Sequence, residues 1–310
     1  MAWWQRYWFR PAPLLDLAVV RIAAVALQLV MLATATSPEV LRTYADLPRE
    51  LFQPLEMYRI LTWPLGSPYF PSFEVLQGAW YVAVLSGLFA LLGLATSVSL
   101  AIFALVNVFL QAFLYSFGDL HHREAVMMIA LGALAISPAG GALSIDSLWR
   151  RRAEDGAPVP LGERQSHFAL WPLLLVQWIF VLMYLSAVIS KTINGGGEWD
   201  NGFTLQYYLI QDGIRWDSPL ALWLAQHHGL ILLMQWSVLL FQASFVLAVL
   251  FPRLRWIYVP MGLALHIGIY LTLEAPFFQW IVLYAVFIPW SRVLPMLRER
   301  APRLSVQAAS

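Results

Sequence analysis

The chain has 310 residues, 60% of them hydrophobic and 12% charged, with a mean hydropathy of +0.66 and a net charge of +1. A soluble globular chain carries about 25% charged residues, so the composition specifies a polytopic membrane protein built as an all-α helix bundle, and the near-neutral balance gives no electrostatic case for nucleic acid. There is no cysteine, which excludes thiol catalysis, disulfides and iron–sulfur clusters.

The length fits one integral domain of about eight transmembrane helices with short loops. Residues 1–13 read as an interfacial segment, 14–290 as the transmembrane domain and 291–310 as a basic, disordered tail. Met1–Arg10 alternates aromatics with arginine, as interfacial segments do. The first span covers about Leu14–Thr34. Ala33-Thr34-Ala35 has the small-residue form of a signal-peptide cleavage site, but Asp16 and Arg21 interrupt the apolar region, and a signal-peptide core carries no such charges. Five residues apart, these two do not face each other on a helix, so each is expected to enter a structural ion pair between helices rather than a substrate contact.

Residues 36–73 form a long proline-containing loop, and Pro54–Pro64 is expected to lie on the membrane surface or to cap a cavity. Spans at about Val75–Leu94 and Ser97–Phe117 are separated by a small-residue turn and form an antiparallel hairpin. A polar cluster with His121 and His122 opens a short fourth span that runs to Ile136. Leu143-Ser144-Ile145-Asp146 and a basic run, Arg150–Arg152, follow, and 153–162 is polar.

The fifth span, about Ala169–Ile189, ends at Lys191. The chain holds 18 arginines and this one lysine. Three glycines, Trp199, Gly202 and a predicted helix with Tyr207 and Tyr208 come next. The last spans cover about Leu230–Phe251, Trp256–Leu273 with His266 inside, and Phe277–Trp290. No internal repeat is visible, which weakens a transporter reading.

A lysine at a span end usually snorkels to the interface. An ammonium differs from a guanidinium, however, in that burial can bring it near neutrality, where it acts as a base. Trp199, Tyr207 and Tyr208 would give such a base an apolar wall against a ring. Each histidine taken singly also has an ordinary explanation, a satisfied hydrogen bond inside a bundle. No metal site is expected: His121 and His122 point about 100° apart on a helix, and there is no His-x-x-x-His. With eight spans, twelve basic residues flank the side of the termini and six the other. The positive-inside rule then puts both termini in the cytoplasm, with His121, His122, Lys191 and His266 converging on the outer leaflet. Proton abstraction from a lipid-borne quinol suits that convergence.

Several stretches carry a resemblance. They are Ser186–Lys191 with Trp199, Gly202 and Tyr207, then His122 followed 24 positions later by Asp146, then Arg21 in its Val-Arg-Ile context, and His266. Together they resemble the vitamin K-dependent γ-glutamyl carboxylase superfamily, including its bacterial HTTM (horizontally transferred transmembrane) members. The resemblance implies a multi-pass protein of the plasma (inner) membrane with Lys191 as base on a quinol. His122 would orient or relay protons, His266 would hydrogen-bond the substrate or an oxyanion, and Trp199, Tyr207 and His121 would bind the quinone. O2 and CO2 enter only with carboxylase chemistry. The chain ends about 20 residues after its last span, without the large extramembrane part of mammalian-type members. A small peptide substrate, or quinone redox alone, therefore fits better than carboxylation of whole proteins. The alternative is a non-enzymatic accessory factor for maturation or export of a secreted peptide; membrane lipid is a partner in either case.

Overall fold

The computed structural model describes residues 3–66, 68–118, 122–153, 162–195 and 197–300. The described chain is almost entirely helical. It opens with α1 (Trp3–Trp8), then α2 (Leu14–Ala33), α3 (Pro38–Ala45), α4 (Glu56–Thr62), α5 (Phe73–Leu92) and α6 (Thr96–Tyr115). It continues with α7 (His122–Ala135), α8 (Ile145–Ala153), α9 (Leu170–Ile189), α10 (Phe203–Arg215), α11 (Pro219–Ala225) and α12 (His228–Ser244). α13 (Val246–Leu250), α14 (Arg255–Leu273), α15 (Phe278–Leu283) and α16 (Trp290–Arg300) complete it. A two-residue antiparallel pairing of β1 (Ala12–Pro13) with β2 (Gln165–Ser166) ties the start of α2 to the start of α9.

Six helical segments are long and apolar enough to cross a membrane: Leu14–Ala33, Phe73–Leu92, Thr96–Tyr115, Leu170–Asn194, His228–Leu250 and Pro252–Leu273. The expected fourth and eighth spans are different. α7 has 14 residues, about 21 Å of helix. The last apolar run breaks after the six residues of α15 into a 3-10 turn, Tyr284–Phe287. Both fall short of a hydrocarbon core about 30 Å thick. The count of about eight therefore resolves into six long helices and two shorter apolar ones.

The 36–73 segment is more structured than a loop. Ser37 caps α3 by accepting from the Val40 N–H, with Pro38 in the first turn. Tyr58 of α4 is fully buried against Phe109 and Phe113 of α6. Trp63, just beyond α4, is 76% exposed, so this segment covers the bundle with one side and leaves apolar side chains on the other. Residues 290–300, the first half of the segment read as a disordered tail, are helical. The Ser291 N–H of α16 donates to Asp16 Oδ1 at 2.6 Å, which fixes that helix to the start of α2. Residues 301–310 lie outside the described residues, as do 154–161 of the polar segment.

Asp16 and Arg21 thus have separate partners, a backbone N–H for Asp16 and backbone carbonyls for Arg21, in place of the expected interhelical ion pair. Arg21 is fully buried and donates to the carbonyls of Ala139 and Leu143 at 3.0 and 2.5 Å. Those carbonyls belong to the turn that follows α7, where helix-end acceptors need donors. Asp146 sits nearby and accepts from the Ala95 N–H, the Thr96 N–H and the Thr96 hydroxyl at 2.9, 2.7 and 2.6 Å. It caps the first turn of α6 from another element. Arg21 and Asp146 therefore close the end of the bundle opposite Lys191.

Candidate functional site

α9 does not stop at Ile189. Its last turn widens into a π-helical turn, Ser190–Asn194, that carries Lys191. Such turns insert one residue into the helix and recur at functional sites. Gly195 follows, and a Cβ there would lie 2.5 Å from the Lys191 carbonyl oxygen and 3.1 Å from Trp199 Cδ1. The missing side chain lets the loop fold back so that Trp199 covers the turn. Lys191 Nζ then stands 4.9 Å from the centroid of the Trp199 ring.

Lys191 Nζ donates to Gln242 Oε1 at 3.0 Å. Gln242 lies on α12 between Phe241 and Phe245, and both of those rings pack on Tyr184, seven residues before Lys191 on α9. The ammonium therefore reaches back along α9 toward the level of Tyr184, the direction in which helical side chains lean. Snorkelling would require the opposite direction.

Tyr184 leads to His266. Its hydroxyl is 2.9 Å from His266 Nε2 and 2.5 Å from the Tyr284 hydroxyl, and all three residues are buried. Phe277 and Trp280 pack on the imidazole at 5.1 and 5.5 Å between centroids. Tyr184, Tyr284 and Gln242 were not singled out in the sequence, where a tyrosine or glutamine inside an apolar run looks like any core position.

Gln235 is a further buried amide on α12, 1% exposed, whose side-chain oxygen and nitrogen have no hydrogen-bond partner among the described residues. It lies two turns from Gln242 on the same face. Around it, Trp236 Nε1 donates to the Asp200 carbonyl and His228 Nδ1 lies 3.0 Å from Gln206 Oε1. Gln235 thus stands between the Lys191 contact and the Trp199–Gly202 corner.

The structure brings Lys191 and Trp199 together and connects His266 to the same helix through Tyr184. Tyr207 is elsewhere: it is 61% exposed and its ring touches Tyr208. It lies about 200° around α10 from the buried Leu209, so it is not part of the Lys191–Trp199 cluster. His122 opens α7, described only by its backbone, and His121 lies outside the described residues. Among the described residues no three His, Cys, Asp or Glu side chains come together as a metal site would require.

The family model for the HTTM domain matches residues 9–291. No curated protein and no solved structure matches the chain.

Proposed function

Because the chain belongs to the HTTM domain family and is an integral, multi-pass membrane protein, we propose that it is a quinol-dependent membrane enzyme, an oxidoreductase or a carboxylase-like enzyme, with Lys191 as its base. The observation that carries this reading is the direction of Lys191. Its side-chain nitrogen turns into the bundle, against a neutral amide and an indole face, and in the neutral amine form it has the lone pair that accepts a hydroxyl proton. A carboxylate partner would hold the lysine charged; the Gln242 amide does not.

The residues present fit a quinol. Gln235 offers a buried donor and acceptor with no partner among the described residues, on the face of α12 that carries Gln242, and Trp199 offers a flat apolar face. A quinol bound there supplies an ionisable hydroxyl and two reducing electrons, with O2 and CO2 as co-reactants in carboxylase-like chemistry. Gln242 positions the lysine amine. The Tyr284–Tyr184–His266 chain holds protons at defined atoms two turns deeper. The asymmetry of basic residues supports both termini being cytoplasmic, so that the base faces the outer leaflet of the plasma (inner) membrane that the family resemblance implies.

The test is mass spectrometry of lipids that co-purify in mild detergent, followed by quinol turnover, for wild type, Lys191→Met and Trp199→Ala. A stoichiometric quinone in the first two, lost in the third, with turnover in wild type alone, is the expected result. No quinone in any well-folded form would move the reading to an accessory role in maturation or export of a small peptide. Full turnover by Lys191→Met would remove the base assignment.

A further inference from the structure

At the end of the bundle opposite Lys191, a cavity of about 640 Å³ opens between the starts of α2 and α14 and the segment that leads into α16. Ligand sites span about 300–1,000 Å³. The lining has two parts. Arg10, Arg253, Arg255 and Arg292 bring four guanidiniums to the mouth, and the first two and the last of these are exposed. Below them the wall is apolar. Trp256, Val259 and Leu263 form a stripe on α14, backed by the fully buried Phe287. From Arg255 to Leu263 the helix rises about 12 Å. Leu14–Ala33 and Pro252–Leu273 are long apolar segments that begin at this mouth. Arg10 and Arg253 therefore stand at headgroup level, and Leu263 lies at the depth of acyl chains.

The positive charge is not consumed inside the protein. Asp16 is the one carboxylate among the described lining residues. Its Oδ1 accepts from the Ser291 N–H, and Arg292 lies near enough to attract it. Arg255 is anchored, because its Nε donates to the Ala248 carbonyl at 3.1 Å and its Nη2 to Gln177 Oε1 at 3.0 Å. Arg10 and Arg253 have no hydrogen-bond or ion-pair partner among the described residues. No side chain caps the first turn of α14, so the positive end of its dipole adds to the same field. What complements this cavity is an anion joined to an apolar chain.

We propose that the cavity binds an anionic phospholipid, with its phosphate on Arg10 and Arg253 and an acyl chain along the Trp256–Leu263 stripe. A guanidinium pairs with phosphate oxygens through parallel N–H groups. Basic pockets between transmembrane helices bind acidic headgroups in the same way. A free phosphate would use the guanidiniums but leave the apolar wall uncovered. This inference stands apart from the role of Lys191, since it rests on residues at the other end of the bundle.

The experiment uses the full chain in mild detergent. It is offered equal phosphatidylglycerol and phosphatidylcholine of matched acyl chains, and the retained lipid is read by native mass spectrometry. Both lipids carry a phosphate, but only the first has a net negative charge. An arginine near a membrane surface contributes about fivefold to binding, which is about 1 kcal/mol. Wild type should therefore prefer phosphatidylglycerol by roughly tenfold or more. Arg10→Gln and Arg253→Gln should each lower that preference about fivefold, and together bring it near parity, while the protein still melts cooperatively. Arg6→Gln removes another exposed arginine, outside the lining, and should leave the preference in place. Equal retention of the two lipids by wild type would overturn the proposal, as would an unchanged preference in the double variant. A loss in Arg6→Gln as large as in Arg10→Gln would also overturn it, by showing a general surface field. So would stabilisation by inorganic phosphate equal to that by phosphatidylglycerol in a thermal-shift assay, because the cavity would then take a free anion.

Discussion

Gly262 lies directly against the Tyr284 ring: a Cβ at position 262 would sit 1.9 Å from the Tyr284 hydroxyl oxygen and 2.3 Å from Cζ. Gly262 is one helical turn before His266 on α14, so the bare backbone gives Tyr284 room to reach Tyr184, which bonds His266. Gly262→Ala is therefore expected to displace Tyr284 and to destabilise the protein by about 1–3 kcal/mol, the usual cost of overpacking a filled site. Thermal unfolding in detergent measures this. A double-mutant cycle with Tyr284→Leu should show coupling of about 0.5–3 kcal/mol, because both changes act on one contact. Additive effects would show that Tyr284 moves away without cost.

Replacing Lys191 by arginine separates charge from basicity. Both side chains carry a positive group to a span end, and a purely interfacial role tolerates either. A guanidinium stays protonated, so it cannot accept a proton. Lys191→Arg is expected to lose quinol turnover by about 10²–10⁴-fold, the usual contribution of a positioned general base. Quinone retention should stay near wild type. Turnover within a fewfold of wild type would return Lys191 to the snorkelling role. Gln242→Leu removes the amide that orients the amine, and a loss smaller than that of Lys191→Arg is expected from the same assay.

The long spans were legible because 20 apolar residues in a row leave few alternatives. Leu14–Ala33 falls within a residue of its predicted ends, and the fifth span starts within a residue of its predicted start but continues five residues further, to Asn194. The shorter runs were not. Phe277–Trp290 is apolar enough for a span, but hydropathy carries no signal for the 3-10 turn that ends α15. In the candidate site, Lys191 stood out as the only lysine, and Trp199 followed from the turn after it. Tyr184, Gln235 and Gln242 were hidden because one or two polar residues average out in a span-length window, and His228–Leu250 keeps a mean hydropathy of 2.0 with both glutamines in it. Their roles depend on which helix faces which, and that is a property of packing. A readable signal did exist, since glutamines recur on α12 at Gln235 and Gln242, seven residues apart on one face.

Arg21 is a structural charge, and its removal tests that. Its guanidinium is fully buried and serves two turn carbonyls. Arg21→Met leaves a buried acceptor at Ala139 and a part-buried one at Leu143 without their donor. Breaking such an arrangement costs roughly 2–5 kcal/mol. The expected outcome is a large fall in melting temperature with quinone retention intact in whatever fraction stays folded. Arg21→Met with wild-type stability but no turnover would instead make Arg21 part of the chemistry.

The acid side of the stability curve should report on Asp146. Burial alone would raise its carboxyl, but hydrogen bonds from Thr96 and Ala95, helped by the Arg150 guanidinium, outweigh that and hold it below the ordinary carboxylate range. The positive end of the α6 dipole favours the same charged form. A carboxyl depressed on folding contributes stability in full above its unfolded value of about 3.9 and loses it as pH falls through the lower folded value. Wild type should therefore lose stability on acidification below about pH 4. Asp146→Asn keeps an acceptor oxygen but does not titrate, so its melting temperature should start lower at pH 7 and change less through that window. Asp146→Ala removes the cap and should cost about 1–3 kcal/mol at pH 7, the range for charge-assisted hydrogen bonds. Parallel acid profiles for wild type and Asp146→Asn would mean that another carboxylate governs the acid limb.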